Sequence, residues 1–335
     1  MNSGPARTAN NLIARRHVAR WPGLVAAALA ASVAPAAEVT LYRAAVPLAG
    51  TTEADRNAAF GEALHAVIVR ASGRRDAGSN PVVNSSAARA SRLVQQYSAT
   101  PEGELKVGFD AAAIDEVLAD AGLPSWPSER PVTLVVMSAA GGSALRAGDT
   151  STDRAQLELA AKARGVPLAW PVADVSVGTL RAQLEAAGVE GAARAAGVQA
   201  DAVLLGSLSG GQADWTLAHA GDTTRRRGPA TEGAHLAADV YAAIYAPDST
   251  RGVSTATVRI AGIDTLQAYA GLLNELDALS MVRGIGVAQV DGATLQLNLI
   301  LRGDLDLLRR IALLAPGLRP AAAADPGAPD FVYQP

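Results

Sequence analysis

The sequence predicts a mixed α/β (α+β) protein of three units behind an export signal. Apolar runs at 132–137 and 202–208 are bounded by turn residues and read as strands buried on both faces. Amphipathic helical stripes separate them, and that alternation argues for helices layered on a sheet. Nearer the C-terminus Leu295, Leu297, Leu299 and Leu301 alternate behind Asp291-Gly292, the pattern of a hairpin strand with one buried face.

Residues 37–129 form a small α/β N-terminal unit. A strand at 39–46 precedes an amphipathic helix at 53–71, striped by Phe60, Leu64, Val67, Ile68 and Ala71 and stopped by Gly73. A polar stretch with Gly78, Asn80 and Pro81 follows, then a short helix expected around 87–95. Residues 105–109 alternate as a strand, and Asp110 caps a helix to Ala121. On that helix Asp115, Glu116 and Asp120 read as a solvated face.

Residues 130–247 form an α/β layered sheet. A helix at 152–164 ends at Gly165, and a strand is expected at 166–170. Asp174 is placed as the cap of a helix carrying Val177, Leu180 and Leu184. A hairpin strand at 215–218 leads to a closing helix striped by Leu236, Val240, Ala243 and Ile244.

Residues 254–320 read as β-α-β-β-α, the core of a ferredoxin-like split βαβ unit. Val258 and Ile260 mark its first strand; Asp264 caps a helix striped by Leu266, Tyr269, Leu273 and Leu276. Ile285 and Val287 begin the second strand, and Asp304 starts a helix with Leu305, Leu308, Ile311 and Ala312. Residues 321–335 are a Pro/Ala-rich tail in which Phe331-Val332-Tyr333 reads as a final strand.

Residues 1–36 carry the marks of a signal peptide. Arg15, Arg16 and Arg20 precede an apolar stretch at 21–33, and Ala34-Pro35-Ala36 places cleavage after Ala36. The stretch is shorter than the roughly 20 residues that span a bilayer, which favours cleavage over the alternative of an uncleaved membrane anchor. With no cysteine in the chain there is no lipid-anchor site and no disulfide. The expectation is a soluble periplasmic protein with no stable membrane insertion once the signal is removed. A formal charge of -3 gives no electrostatic reason to expect nucleic acid as a partner.

Short motifs suggest a family. Arg56-Asn57-Ala58-Ala59, Arg70-Ala71-Ser72-Gly73, Asn80-Pro81 and Gln95-Gln96-Tyr97 stand in order in the first unit. Val107-Gly108-Phe109-Asp110, Leu123-Pro124-Ser125-Trp126 and Arg130-Pro131 follow. In these the chain resembles the bacterial envelope family known as domain of unknown function 2066, a family without an assigned activity. The middle unit is more loosely similar to the TolB N-terminal domain and to penicillin-binding-protein activators. Arg130-Pro131 before a buried strand, then Ala202-Val203-Leu204-Leu205-Gly206, carry that likeness. Because those relatives bind proteins, the resemblance implies a TolB-N-like middle domain and an envelope protein partner.

No residue set stands out as catalytic, cofactor-binding or metal-ligating. Residues 139–143 (Ala-Ala-Gly-Gly-Ser) lack the Lys-Ser/Thr ending of a phosphate loop, and Ser138 and Ser143 lack a nucleophile elbow. His65, His219 and His235 have no two-ligand spacing. The candidate interaction residues are Trp126 and Trp170, because tryptophan is enriched at binding hot spots, and the cluster Arg225, Arg226 and Arg227. Core packing competes for the tryptophans, and an exposed hairpin or loop for the arginines. The expectation is therefore a non-enzymatic, cofactor-free protein-binding or scaffolding module of a cell-envelope assembly. The alternative is a hydrolase or small-ligand-binding protein with a site at the strand ends of the middle unit, near Ser138, Ser143 and His219.

Overall fold

The computed structural model describes residues 1, 41–138, 143–209, 211–246, 252–321 and 328–334. The expected signal peptide, its cleavage site and residues 139–142 lie outside them. Among the described residues, eight helices and three sheets give an α+β protein.

The first sheet is antiparallel, with β1 (Arg43–Pro47), β2 (Val94–Ala99) and β3 (Glu104–Phe109) in the order β1-β3-β2. Helix α1 (Glu53–Ser72) opens on a capping box: the Thr52 hydroxyl accepts from the Asp55 amide, and the Asp55 carboxylate accepts from the Thr52 amide. It stops at Gly73, whose φ of 69° is left-handed. Phe60, Leu64, Val67, Ile68 and Ala71 are buried, as their spacing predicts. The helix expected around 87–95 is displaced. Asn80 caps α2 (Pro81–Ala87) through the Val82 amide with Pro81 in its first turn, and 94–99 pairs with β3 instead. Asp110 caps α3 (Ala111–Asp120) as expected.

The middle sheet contains β4 (Thr133–Met137), β5 (Leu168–Ala169), β6 (Ala202–Ser209), β7 (Gln212–His219) and β8 (Asp222–Gly228), in the order β5-β4-β6-β7-β8. Its first three strands are parallel and the last two antiparallel. The strand expected at 166–170 shrinks to the two residues of β5. One face, with Val135, Met137, Leu204, Trp215 and Leu217, packs on α4 (Thr152–Arg164) and α6 (Ala230–Tyr245). The other face, with Leu134, Val136, Val203 and Leu205, packs on α5 (Val177–Ala196). The cap of α5 is Ser176, whose hydroxyl accepts from the Thr179 amide, not Asp174. On α6 the buried stripe is Ala234, Leu236, Ala237, Ala238, Tyr241 and Tyr245, while Ala243 is exposed.

The third sheet is formed by β9 (Val253–Ala261), β10 (Val282–Asp291), β11 (Thr294–Arg302), β12 (Leu318–Pro320) and β13 (Phe331–Tyr333), in the order β10-β11-β9-β13-β12. Helix α7 (Leu266–Ala278) joins β9 to β10, with β11 lying between those strands, and α8 (Leu305–Ala312) precedes β12. The four alternating leucines of β11 are all buried, and Asp304 caps α8. Thr265, not Asp264, caps α7; Ala268, Leu272 and Leu276 face inward, Tyr269 is half-buried beside them, and Leu266 is exposed. The C-terminal strand β13 enters between β9 and β12, parallel to β9 and antiparallel to β12.

Two seams join these sheets. Trp126, Arg130 and Arg164 lie between the first and middle sheets. The Arg130 guanidinium stacks 3.4 Å over the Trp126 ring and donates to the carbonyls of Arg70 and Trp126. Arg164 donates to the Gly73 carbonyl at 2.8 Å and to Asp239 at 2.7 Å. Between the first and third sheets, Asp115 meets Arg302 at 2.6 Å and Arg283 at 3.2 Å, and Glu129 accepts from the amide and hydroxyl of Ser280. Asp115 is thus no part of a solvated face, because a strand from another sheet brings arginine to it; Glu116 and Asp120 are exposed.

Candidate functional site

The middle sheet is unequally covered. Helix α5 packs across β4 and β6, and its apolar contacts stop at Leu205. Beyond it, Asp214, Thr216 and Ala218 of β7 stand opposite Arg227, Arg225 and Thr223 of β8 on the same face. A groove of about 650 Å³ lies between this face and α5. Leu205, Thr216 and Ala218 form its floor, and Leu184 and Val189 its wall. Arg181 and Glu185 project from the helix side of the rim, Asp222 and Arg225 from the strand side.

Local sequence shapes this groove. Helix α5 is broken at Ala187 and Gly188, where Gly188 takes φ 65° and ψ −162°, a region open essentially to glycine alone. The β7–β8 turn is tight, with Ala220 at φ 51° and Gly221 at φ 86°, the two left-handed residues that let paired strands keep their natural twist. Among the described residues none of Arg181, Glu185, Asp222 and Arg225 has an ion-pair partner. Two guanidinium groups and two carboxylates, all exposed, therefore line one partly apolar groove without a direct ion pair to a described residue.

The expected interaction residues are scattered. Trp126 is 1% exposed and belongs to the dry seam, 6.4 Å from Tyr241 between ring centres. Trp170 is buried, with the Arg154 guanidinium 4.4 Å over its ring. The three arginines occupy the edge strand β8, and because side chains alternate they do three different things. Arg225 lines the groove. Arg226 turns to the opposite face and donates to Glu232 at 3.0 Å and Asp239 at 2.8 Å. Arg227 is exposed, 3.7 Å from Asp214.

Asp239 gathers Arg164, Arg226 and, at 4.0 Å, Arg75 around one carboxylate. Burial pushes its pKa up, and hydrogen bonds from Arg226 and Arg164 more than reverse that, leaving it below the usual range. Beside it, His235 Nδ1 accepts from Arg164 at 3.1 Å, which leaves the ring proton on Nε2; burial and then Arg75 and Arg164 lower its pKa.

The expected strand-end site is divided. Ser138 and Ser143 sit beyond the C-terminal end of β4, in bridges to Ala144 and Ser176. His219 pairs with Ala202, which pairs with Thr133 at the opposite end of β4. Its Nδ1 donates to the Asp201 carbonyl at 2.9 Å, and its Nε2 accepts from Tyr245 Oη at 2.9 Å. Burial, with Asp201 nearby, pushes the Tyr245 hydroxyl up to about 12, so it stays a donor. A buried polar network of this kind orders a core.

Two features of this region escaped the sequence reading. Trp215, rather than the two tryptophans singled out, fills the space beneath α6, where Gly206 and Gly233 leave no room for a β-carbon against its ring. The groove has no motif; its only sequence signal is the Ala187-Gly188 break in an otherwise helical run.

Among the described residues no group of three or more His, Cys, Asp or Glu is placed to hold a metal ion, and no helix is long and apolar enough to cross a membrane. Compared with known families, residues 36–127 match the Domain of unknown function (DUF8605), a range that takes in the first sheet and ends just past Trp126. This corrects the assignment to the domain of unknown function 2066 family, and nothing found supports the TolB-like or activator-like similarity of the middle unit. The motifs behind those resemblances do general structural work: Gly73 is a helix stop, Asp110 a helix cap, and Val107 and Phe109 are core. No curated protein and no solved structure matches the chain.

Proposed function

We propose that the protein is an exported binding module that holds a segment of another protein in the groove between α5 and the β7–β8 hairpin. The observation that carries this reading is the groove: Leu184, Val189, Leu205 and Ala218 give it apolar lining, and Arg181, Glu185, Asp222 and Arg225 set charges of both signs at its rim. A peptide presents apolar side chains and mixed charges together, so it matches both parts of the surface. Support for a periplasmic location comes from the arginine-led apolar segment and the Ala34-Pro35-Ala36 site. The envelope assembly rested on the resemblances to the domain of unknown function 2066 family and to TolB-like domains and is not carried forward, so the partner is defined by the groove.

A volume of about 650 Å³ also falls within the range of small-molecule pockets, and a small-ligand-binding protein is the second reading. A random-peptide selection on the purified mature chain separates the two. The expected result is a consensus peptide whose affinity drops roughly ten-fold or more in Thr216→Trp, which fills the groove. No consensus, or one indifferent to Thr216→Trp, counts against the peptide reading. The export half is tested by the mass of the chain recovered from the periplasm of a Gram-negative host. Loss of residues 1–36 is expected, and an intact chain left in the cytoplasmic fraction overturns it.

A further inference from the structure

The third sheet holds its C-terminal strand as a protein holds a bound peptide. Strand β13 is only three residues long, yet its two inward-facing residues, Phe331 and Tyr333, and the Asp330 that precedes it are each recognised separately. The Asp330 carboxylate accepts from the Arg259 amide at 2.9 Å and from the Arg309 guanidinium at 3.3 Å, while the Asp330 amide donates to the Arg259 carbonyl at 2.7 Å. Phe331 is fully buried between Ile260 of β9 and Pro320 of β12. Tyr333 lies in a cleft made by three glycines from three places in the chain. A β-carbon at Gly262, Gly271 or Gly317 would collide with its carbonyl, hydroxyl or ring respectively. The Gln334 amide then donates to the Gly317 carbonyl at 2.9 Å.

The connection explains why side chains must do this. Antiparallel neighbours are joined by roughly two to five residues when a turn sets their register. Here β12 is followed by the longer stretch 321–330 before β13 begins. Turn geometry does not set register across a connection of that length, so the fit of Asp330, Phe331 and Tyr333 does. Being part of the same chain also raises the local concentration of the strand, which lets a modest intrinsic affinity fill the slot.

We propose that the space between β9 and β12 is a strand-accepting peptide site, occupied in cis by the chain's own tail. It exchanges that tail for an extended segment of a partner protein bearing an acidic residue, then an aromatic residue, and a tyrosine two residues further on. Binding is by strand addition: backbone hydrogen bonds to both neighbours supply affinity, and the two aromatic positions supply selectivity. This site is separate from the groove of the middle sheet and does not depend on it.

The test keeps every other part of the chain. Residues 322–327 are replaced in the full-length protein by a specific protease site, the chain is cut, and a labelled synthetic peptide of residues 328–335 is titrated by fluorescence anisotropy. The cut protein is expected to keep its circular dichroism and bind the peptide saturably, with the uncut protein at least about ten-fold weaker because its tether competes. Phe331→Ala or Tyr333→Ala in the peptide should each weaken binding roughly ten-fold or more. Intact Tyr333→Ala protein, whose own tail is loosened without cutting, should admit the wild-type peptide. Unfolding on tail release shows β13 to be a fixed part of the fold and overturns the proposal. So does failure of both the cut and Tyr333→Ala proteins to bind, or equal binding by cut and uncut protein.

Discussion

Where the first sheet meets the middle one, the contact is cationic and dry; where it meets the third, it is carboxylate-centred and half wet. Arg164 is 1% exposed at the first seam, and Arg130 is so enclosed that burial drives its guanidinium well below the usual arginine range. Two of its nitrogens, Nε and Nη1, find no hydrogen-bond partner. At the second seam the Asp115 side chain is 13% exposed and its partners Arg302 and Arg283 are 29% and 43% exposed. Desolvated charge is expensive and its partners cannot be removed cheaply, whereas partly hydrated pairs exchange protein contacts for water at little net cost. The dry seam should therefore act as one body with both its sheets, and the wet one should tolerate change.

Trp126→Ala should be the most damaging single change, costing about 4 kcal/mol in urea unfolding, since it opens a cavity and strips Arg130 of its ring. A loss below about 1 kcal/mol would mean the dry seam is not a cohesive element. Arg164→Ala follows at about 3 kcal/mol, because the Gly73 carbonyl loses its donor and Asp239 one of its arginines. Arg164→Lys should recover little of that, as one ammonium cannot serve Gly73, Asp239 and His235 in the same geometry.

At the wet seam, Asp115→Asn should cost about 1.5 kcal/mol, less at high salt. A cost equal to that of Trp126→Ala would erase the distinction between the seams. The first seam should also be the acid-sensitive one, through two half-exposed groups at its edge, His235 and Asp239. His235 has a lowered folded pKa, so its contribution is complete above the unfolded value near 6.5 and falls as pH drops through that value toward the folded one. Asp239, also lowered, loses its contribution as pH falls from about 4 through its folded value. Unfolding at pH 7 and pH 5 should show a drop that His235→Gln reduces; an unchanged drop would remove His235 from the account. Arg227→Ser should shift stability by no more than about 0.5 kcal/mol, because both it and Asp214 are largely exposed.

Local patterns that depend on neighbours a few residues away were legible in the chain. The stripe of α1, its stop at Gly73, the stop of α4 at Gly165 and the alternating leucines of β11 stand as spaced in the sequence. Caps were legible only to within a residue or two. Asp174 and Ser176, like Asp264 and Thr265, are all competent caps, and packing against the sheet chooses between them. On α7 the buried face centres on Ala268, Leu272 and Leu276 with Tyr269 at its flank, so of the expected stripe it is Leu266 that lies exposed.

By itself, then, the sequence determined the α+β class, most strands and helices, and the hairpin at Asp291-Gly292, because period and turn chemistry act over a few residues; the β2–β3 hairpin escaped it. Only the tertiary structure decided that Arg225, Arg226 and Arg227 part company, that Asp115 is an inter-sheet pair, and that Phe331 and Tyr333 enter the third sheet. It also decided that α5 leaves β7 and β8 uncovered, and so that there is a groove at all. Each of these depends on which distant segment arrives opposite a residue, and a pattern of nearest neighbours carries no record of that.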